Sequence, residues 1–210
     1  MYCLSRVVAA HKRDTRCLDY HLGRLLTGGS DKLFNVFGWE KGEWHQQVSS
    51  DITDSEIICA KINKMDPQSQ WWCLLGCKNG KIMALDALGN PSLELNHDSN
   101  ISSLDFIDSQ TIVTGSWDGK AIVWSLATQK KIAEYAQGKY AVTVFYNKTS
   151  GYVVSGSQDK ALCLWEPLAG TQVKRIENAH NDIIREIADV EGSGMIITCS
   201  NDEILKLWSA

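Results

Sequence analysis

A short block that recurs five times limits what this chain can fold into. Its clearest copy is Thr114-Gly-Ser-Trp-Asp118, followed after five further residues by Trp124. Related blocks end in Asp31, Asn79, Asp159 and Asp202. The steps between the five block-ending positions are therefore 48, 39, 41 and 43 residues. A near-constant period of this size predicts stacked copies of one supersecondary unit rather than a single irregular core.

Within one period the residues read as short strands. Ile101-Ser-Ser-Leu-Asp-Phe106 alternates roughly in period two, and Thr111-Ile-Val-Thr114 is rich in β-branched residues. Asp118-Gly119 supplies the positive φ of a tight hairpin turn before Ala121-Ile-Val-Trp124, and Lys131-Ile-Ala-Glu-Tyr135 closes the unit. A period of about 40–45 residues is typical of four-stranded propeller blades. The sequence therefore predicts an all-β propeller of five four-stranded blade units.

The repeats together make up one predicted propeller domain, which spans residues 1–210. The predicted units cover about 10–48, 53–95, 96–135, 136–177 and 178–210. The fifth unit stops after its third strand, and the apolar segment 2–9 precedes the first unit. We therefore expect 2–9 to serve as the outer strand that closes the last blade.

Composition excludes several functional classes. The 210 residues carry a net charge of −4, which argues against a nucleic-acid partner, and no apolar run is long enough to span a membrane. The N-terminus lacks the apolar region of a signal peptide, and seven scattered cysteines suit reduced thiols. We expect a location in the cytoplasm, with the nucleus as a second compartment. Cys73 and Cys77 form one pair without partners for a metal site, so no metal or cofactor is expected.

The recurring polar residues have a structural explanation. In WD-repeat proteins, which these blocks resemble, a His, a Thr or Ser, the block Asp and the later Trp form a hydrogen-bonded tetrad within each blade. The resemblance implies two complete tetrads: His97, Thr114, Asp118 and Trp124; and His180, Thr198, Asp202 and Trp208. The other repeats are incomplete, with Phe37 in the first, Leu75, Asn79 and Leu85 in the second, and Gln137 in the fourth. A set that recurs once per blade indicates architecture rather than a catalytic triad, so the chain is not predicted to be an enzyme.

Several stretches resemble one family of WD-repeat proteins, the phospholipase A-2-activating protein family. Thr114-Gly-Ser-Trp-Asp-Gly-Lys-Ala-Ile-Val-Trp124 is similar to its third blade. His180-Asn-Asp-Ile-Ile-Arg-Glu-Ile and Thr198-Cys-Ser-Asn-Asp-Glu-Ile-Leu-Lys-Leu-Trp208 are similar to its fifth, and His11-Lys-Arg-Asp-Thr-Arg-Cys-Leu18 fits its first. The resemblance implies a seven-bladed propeller that binds ubiquitin or ubiquitinated proteins, and a role in ubiquitin homeostasis and ubiquitin-dependent degradation.

The chain departs from that family in length. It offers five repeats rather than seven, and the family's segregase-docking domain has no counterpart in it. We therefore expect a partial propeller, with a five-bladed ring closed by the N-terminal segment as the alternative.

The resemblance to WD repeats also indicates where a partner binds: the top face, where the loops before the inner strand and before the third strand emerge. Mapped onto this chain, that face carries Asp14, Arg16, Ser30, Glu56, Ile58, Lys78, Asn100, Ser102, Trp117, Tyr140, Val142, Gln158, Ile183, Arg185 and Asn201. Trp117 and Tyr140, with acidic help from Asp14 and Glu56, suit the small apolar patch of ubiquitin, which is ringed by basic residues. Two alternatives are that Trp117 packs on a neighbouring blade, and that the chain is a scaffold for another protein complex without ubiquitin binding.

Overall fold

A computed structural model describes residues 9–65, 70–138, 140, 142–190 and 193–209. Within these ranges the chain forms nineteen β-strands. The strands of the first two sheets are Thr15–His21 (β1), Arg24–Gly29 (β2), Phe34–Glu40 (β3), Glu43–Ser50 (β4), Ile57–Ile62 (β5), Cys73–Cys77 (β6), Lys81–Leu85 (β7) and Pro91–Asn96 (β8). The strands of the third and fourth are Ile101–Phe106 (β9), Thr111–Ser116 (β10), Lys120–Ser125 (β11), Lys130–Ala136 (β12), Thr143–Asn147 (β13), Tyr152–Gly156 (β14), Leu162–Trp165 (β15) and Gln172–Ile176 (β16). The fifth sheet contains Ile184–Val190 (β17), Met195–Ser200 (β18) and Leu205–Trp208 (β19).

Each sheet is an antiparallel meander of strands that are consecutive in the sequence. Blades one to four are β1–β4, β5–β8, β9–β12 and β13–β16, and β17–β19 form the described part of blade five. One central cavity has a volume of about 370 Å³. Its wall is formed by residues from the first strand of every blade, which is β1, β5, β9, β13 or β17. The molecule is a five-bladed β-propeller, which confirms the predicted fold class. Residues 2–8 of the predicted closing strand lie outside the described residues.

The turn that follows each repeat block has the same backbone conformation in all five blades. Gly80 and Gly119 have φ values of 89° and 83°, and the equivalent Lys32, Lys160 and Glu203 have φ values of 70°, 67° and 67°. This left-handed conformation lets the second and third strands of the blade meet in a tight hairpin. The repeat therefore imposes a turn geometry that two blades meet with glycine and three meet without it.

Apolar residues between consecutive blades form the core. One hydrophobic cluster joins blades one and two and is centred on Phe34, Ile57 and Leu75. Further clusters join blades two and three, three and four, and four and five. The core is thus a series of interfaces between neighbouring sheets, as the repeat architecture requires. No helix among the described residues has the length and apolar content to cross a membrane.

Candidate protein-interaction site

Blade three contains a hydrogen-bonded chain of four side chains that ties its strands together. The Nε1–H of Trp124 donates to Oγ1 of Thr114 at 2.8 Å, and that oxygen lies 2.8 Å from Nε2 of His97. Nδ1 of the same imidazole lies 2.8 Å from Oδ2 of Asp118. Burial lowers the pKa of His97 even though Asp118 favours the charged form. A neutral imidazole then donates to Asp118 and accepts from Thr114, so each donor in the chain meets one acceptor.

Blade five repeats this arrangement. Trp208 donates to Thr198 at 2.9 Å, and Thr198 lies 2.7 Å from Nε2 of His180. Nδ1 of His180 lies 2.9 Å from Asp202. The backbone N–H groups of Asn181 and Ile204 also donate to Asp202, at 2.8 and 3.1 Å, so this carboxylate fastens the top loops of the blade.

In the incomplete repeats, other residues occupy some of the tetrad positions. In blade one, His11 links Asp31 and Thr27 at 2.8 and 2.9 Å, while Phe37 fills the place of the indole. In blade two Leu75 and Leu85 are both fully buried, so apolar packing replaces the network.

Blade four substitutes an amide for the imidazole. Gln137 accepts a short hydrogen bond from the hydroxyl of Ser155 and donates to the carbonyl of Ala161 at 3.0 Å. Ser155 still accepts from Trp165 at 2.7 Å. In blades one, three, four and five these side chains therefore link strands and loops of their own blade, which is an architectural role.

The pH dependence of stability offers a test of this role at Asp202. Its partial burial opposes ionisation, but hydrogen bonds from the backbone N–H of Asn181, the imidazole of His180 and the backbone N–H of Ile204 outweigh this effect and lower the pKa of Asp202 to about 2. A carboxyl with a lowered folded-state pKa stabilises the protein fully above its unfolded pKa, near 3.8, and loses this effect as the pH falls through about 2.

We therefore expect Asp202→Asn to lower the melting temperature at about pH 5, and the difference from wild type to shrink as the pH approaches 2. Asparagine keeps the shape but cannot titrate, so comparing the two curves isolates this group from the other acids. A difference that stays constant down to pH 2 contradicts the assignment.

The top face is organised by one backbone hydrogen bond that recurs in every blade. The residue just before the block-ending Asp or Asn donates its N–H to the carbonyl of a residue in the loop that leads into the inner strand. The five pairs are Ser30–Asp14 at 2.9 Å, Lys78–Glu56 at 2.9 Å, Trp117–Asn100 at 2.9 Å, Gln158–Tyr140 at 3.4 Å and Asn201–Ile183 at 3.1 Å. The structure thus places the predicted top-face residues next to one another in pairs, one pair per blade.

Residues of blades three to five form an apolar cleft on this face. Five of the predicted positions line a cleft of about 290 Å³: Trp117, Tyr140, Gln158, Ile183 and Arg185. Trp117 is 45% exposed and Tyr140 is 59% exposed, so both rings reach solvent rather than being covered by a neighbouring blade. The positive φ of 50° at Tyr140 sets this residue in a strained loop. Exposed aromatic rings around one cleft are typical of protein-binding surfaces.

The part of the top face that belongs to blades one and two carries charged side chains that form ion pairs. Nζ of Lys78 lies 2.9 Å from Glu56, and Arg16 lies 4.0 Å from Glu56 and 3.6 Å from Asp14. The hydrogen bond from Lys78 lowers the pKa of Glu56, together with the charge of Arg16. The charge of Glu56 is therefore compensated within the chain, whereas Asp14 keeps most of its carboxylate in solvent.

Two of the mapped top-face positions are not available to a partner. Val142 is fully buried between blades three and four, and its carbonyl accepts a short hydrogen bond from Ser102. Ser30 is also buried and accepts a hydrogen bond from Nε of Arg16 at 2.8 Å. The equivalent arginine of blade five, Arg185, donates to Asn201 at 2.8 Å. Both arginines thus brace the loops of their own blade.

The central cavity holds charged groups that the repeat pattern does not single out. Asp105 accepts a hydrogen bond from the backbone N–H of Tyr146 in the next blade, at 3.0 Å. Burial raises the pKa of Asp105 and of Glu186, and Lys61 on the same wall opposes the shift. These positions could be found in the sequence only by aligning the inner strands, because no local motif surrounds them.

Burial controls the ionisation of several cysteines among the described residues. Burial raises the pKa of Cys17 and of Cys77 to about 12, and that of Cys163 to about 11. Such thiols stay protonated near neutral pH, whereas the thiolate is the reactive form. Among the described residues, no group of three or more His, Cys, Asp or Glu side chains is arranged to hold a metal ion.

Comparison with known proteins agrees with this geometry. Residues 89–125 and 131–166 match the family described as WD domain, G-beta repeat. The two matched stretches end just after Trp124 and Trp165, the indoles that donate to Thr114 and Ser155. The chain is thus a β-propeller that contains WD repeats. The fold of such propellers is typically that of a non-catalytic scaffold.

Two curated relatives cover almost the whole propeller. The chain is 29% identical over 213 residues to the ubiquitin homeostasis protein lub1 of Schizosaccharomyces pombe, covering 100% of the chain and 29% of that protein. It is 26% identical over 208 residues to the ribosome biogenesis protein WDR12 homolog of Culex quinquefasciatus, covering 97% of the chain and 43% of that protein. The chain therefore spans less than half of the length of either relative.

A solved structure supports the fold alone. The computationally designed Ika8 protein superposes on the propeller with a TM-score of 0.79 and 22% sequence identity. The match covers 95% of this chain and 59% of that chain.

Proposed function

We propose that this WD-repeat propeller is a non-enzymatic interaction platform that binds ubiquitin or ubiquitinated proteins, in ubiquitin homeostasis and ubiquitin-dependent degradation. The observation that carries the proposal is the cleft formed by Trp117, Tyr140 and Ile183 on the top face. Its exposed rings match the small apolar patch that ubiquitin presents. Asp14, which is exposed on the same face, suits the basic residues around that patch.

The similarity to relatives supports the same proposal. The relative named ubiquitin homeostasis protein aligns with the entire chain. This agrees with the resemblance to the phospholipase A-2-activating protein family in the blocks that begin at Thr114 and Thr198. We place the chain in that family as part of the proposal.

Titration of isotope-labelled ubiquitin with the chain tests this function. A single small patch yields about 4–7 kcal/mol of binding free energy, so we expect a Kd of about 10–1000 μM. Trp117→Ala is expected to weaken binding at least about tenfold, because truncation of a central aromatic hot-spot residue costs about 2 kcal/mol or more, and about 1.4 kcal/mol corresponds to tenfold.

A matched control is available in blade one. Trp39 is 51% exposed, close to the 45% of Trp117, but it lies at the end of β3, away from the cleft. Trp39→Ala should leave the ubiquitin shift changes as they are in wild type. The proposal fails if ubiquitin shows no shift changes with the wild-type chain, or equal changes with the two variants.

A second candidate is a scaffold for a different protein complex. It is favoured by the relative named as a ribosome biogenesis protein and by Arg185, whose exposed guanidinium borders the cleft and is unsuited to a basic partner. In this case ubiquitin causes no saturable shift changes. In that case Trp117→Ala should reduce the amount of the other protein complex that co-purifies with the chain, compared with wild type.

A further inference from the structure

The inner strand of blade three forms hydrogen bonds to the inner strand of blade four. Within its own sheet β13 pairs with β14 alone, and side chains of β9 bond its backbone in addition. The backbone N–H of Val144 donates to Oγ of Ser103 at 2.6 Å, and the backbone N–H of Tyr146 donates to Oδ2 of Asp105 at 3.0 Å. We call Ser103 and Asp105 the β9 acceptors. They hold β13 at two points along its length.

Further hydrogen bonds connect this contact to the two loops that carry the aromatic residues of the cleft. The backbone N–H of Val142 donates to the carbonyl of Ser116 at 3.3 Å, and Ser116 directly precedes Trp117. The carbonyl of Val142 accepts a short hydrogen bond from the hydroxyl of Ser102. Val142 follows Tyr140 by two residues and leads into β13. The relative position of the two aromatic rings therefore depends on how firmly β13 is held against blade three.

The interface between blades two and three has different side chains at these positions. By strand register, Cys59 and Lys61 of β5 correspond to Ser103 and Asp105 of β9. A lysine ammonium cannot accept a hydrogen bond, and a thiol accepts only weakly. Blades two and three meet through the apolar cluster that includes Leu104, and apolar contacts have no preferred direction. The bonds to β13 therefore define the arrangement of blades three and four more closely than that of blades two and three.

Blade one contains the same carboxylate contact, but away from the cleft. Asp19 has the register position of Asp105, and its Oδ2 accepts from the backbone N–H of Ile62 in blade two at 2.8 Å. Each of the two carboxylates also accepts from the N–H of the next residue in its own strand, at 2.9 Å for Tyr20 and 3.0 Å for Phe106. The cleft is lined by residues of blades three to five. The two aspartates thus make equivalent contacts, of which only one joins blades that form the cleft.

We propose that Ser103 and Asp105 are positioning residues for the cleft. They hold blade four against blade three, so that the rings of Trp117 and Tyr140 are in place before a partner binds. The inference rests on the proposed function, which assigns the cleft as the ubiquitin-binding site. A binding site that is ordered beforehand loses less conformational freedom on binding. When fewer molecules have the ordered cleft, the apparent affinity falls by the same factor as their population.

Titration of isotope-labelled ubiquitin with four variants tests the effect on binding. Asp105→Ala and Ser103→Ala each remove one bond to β13 and are expected to weaken binding about three- to tenfold. Asp105→Asn keeps an oxygen that accepts from Tyr146, so its affinity should stay within about twofold of wild type. Asp19→Ala removes the equivalent bond between blades one and two and should bind ubiquitin like wild type. Far-ultraviolet circular dichroism checks that each variant keeps its sheet structure, and Ser103→Ala carries the test if Asp105→Ala does not fold.

Two measurements on the chain alone test the positioning without a partner. Hydrogen exchange followed by mass spectrometry should be about threefold faster or more in peptides of β13 in Asp105→Ala, with β5 unchanged, and Asp19→Ala should show the reverse. The nuclear magnetic resonance signal of the Trp117 indole N–H, identified by its loss in Trp117→Ala, should shift in Asp105→Ala but not in Asp19→Ala.

The outcomes separate this inference from the proposed function. Asp105→Ala and Ser103→Ala that bind ubiquitin as tightly as wild type overturn the inference alone, and so does an equal loss of affinity in Asp19→Ala. If wild type causes no ubiquitin shift changes, the proposed function fails. The exchange of β13 and the Trp117 signal then decide the positioning role, which is overturned if Asp105→Ala leaves both as in wild type.

Discussion

Replacing Thr114 with valine is expected to lower the free energy of unfolding by about 2–4 kcal/mol, although the side chain keeps its shape. Thr114 is fully buried, and its hydroxyl accepts from Trp124 and lies within hydrogen-bonding distance of His97. Valine leaves the indole N–H and the imidazole nitrogen without this partner, in a place that water does not reach. Each buried group left unpaired costs about 1–3 kcal/mol, which exceeds the gain from burying one more methyl group.

Thr111→Val provides the matched comparison. Thr111 begins the same strand, is only half-buried and lies outside the tetrad, so the same change should alter stability by less than about 0.5 kcal/mol. Urea denaturation of the three proteins measures the difference, with equal slopes indicating that the unfolding reaction is unchanged. Equal stabilities of Thr114→Val and wild type would show that the network is not energetically coupled to folding.

The fold could be predicted because the repeat is a local signal. The block ending in Asp118 predicts a hairpin, and the turn after it has the same left-handed backbone in every blade, with or without glycine. The positions of the top-face residues could also be predicted, because they too are set by contacts within one repeat. Trp117 and Tyr140 are placed by a backbone hydrogen bond that each repeat forms in its own loops, so their place in the motif was enough to bring them to one cleft.

Side-chain pairing within the top face could not be predicted in this way. Glu56 and Lys78 are 22 residues apart, and they meet because the backbone of Lys78 donates to the carbonyl of Glu56. Each repeat has different residues at these positions, so the motif gives the place but not the partner. The compensation of Glu56 by Lys78 and Arg16 is therefore a property of the assembled face, as is the burial of Val142.

The exposed faces of blades one and five depend on still longer-range information. The strand register makes Leu18 and Leu207 equivalent to residues of blade three that are buried, namely Leu104 and Val123. Their sequence pattern alone therefore predicts burial. Only the arrangement of the blades shows that they are exposed. The repeat itself also changes here: a glycine stands at each of the four interfaces between consecutive blades, where an added Cβ would collide with the next blade, and Cys199 takes its place in blade five.

The glycines at those four interfaces lead to the second large expected effect. Gly115→Ala is expected to destabilise the chain by about 3 kcal/mol. A Cβ at this position would lie against the backbone carbonyl of Val142, closer than van der Waals contact permits. This carbonyl belongs to the segment that leads into the inner strand of blade four and also accepts from Ser102, so it cannot turn aside as a side chain could. Blades three and four must therefore separate, which weakens the cluster that holds Val142 and Val144.

The fifth repeat supplies the control for this prediction. Cys199 occupies the position of Gly115 in its own blade, and the neighbouring Leu205 and Leu207 are exposed, so Cys199→Ala should change stability by less than about 0.5 kcal/mol. Thermal and urea unfolding of both variants test the pair. A Gly115→Ala chain as stable as wild type would mean that the blades can slide apart at little cost. The close approach of consecutive blades would then not be the feature that requires glycine after the tetrad position.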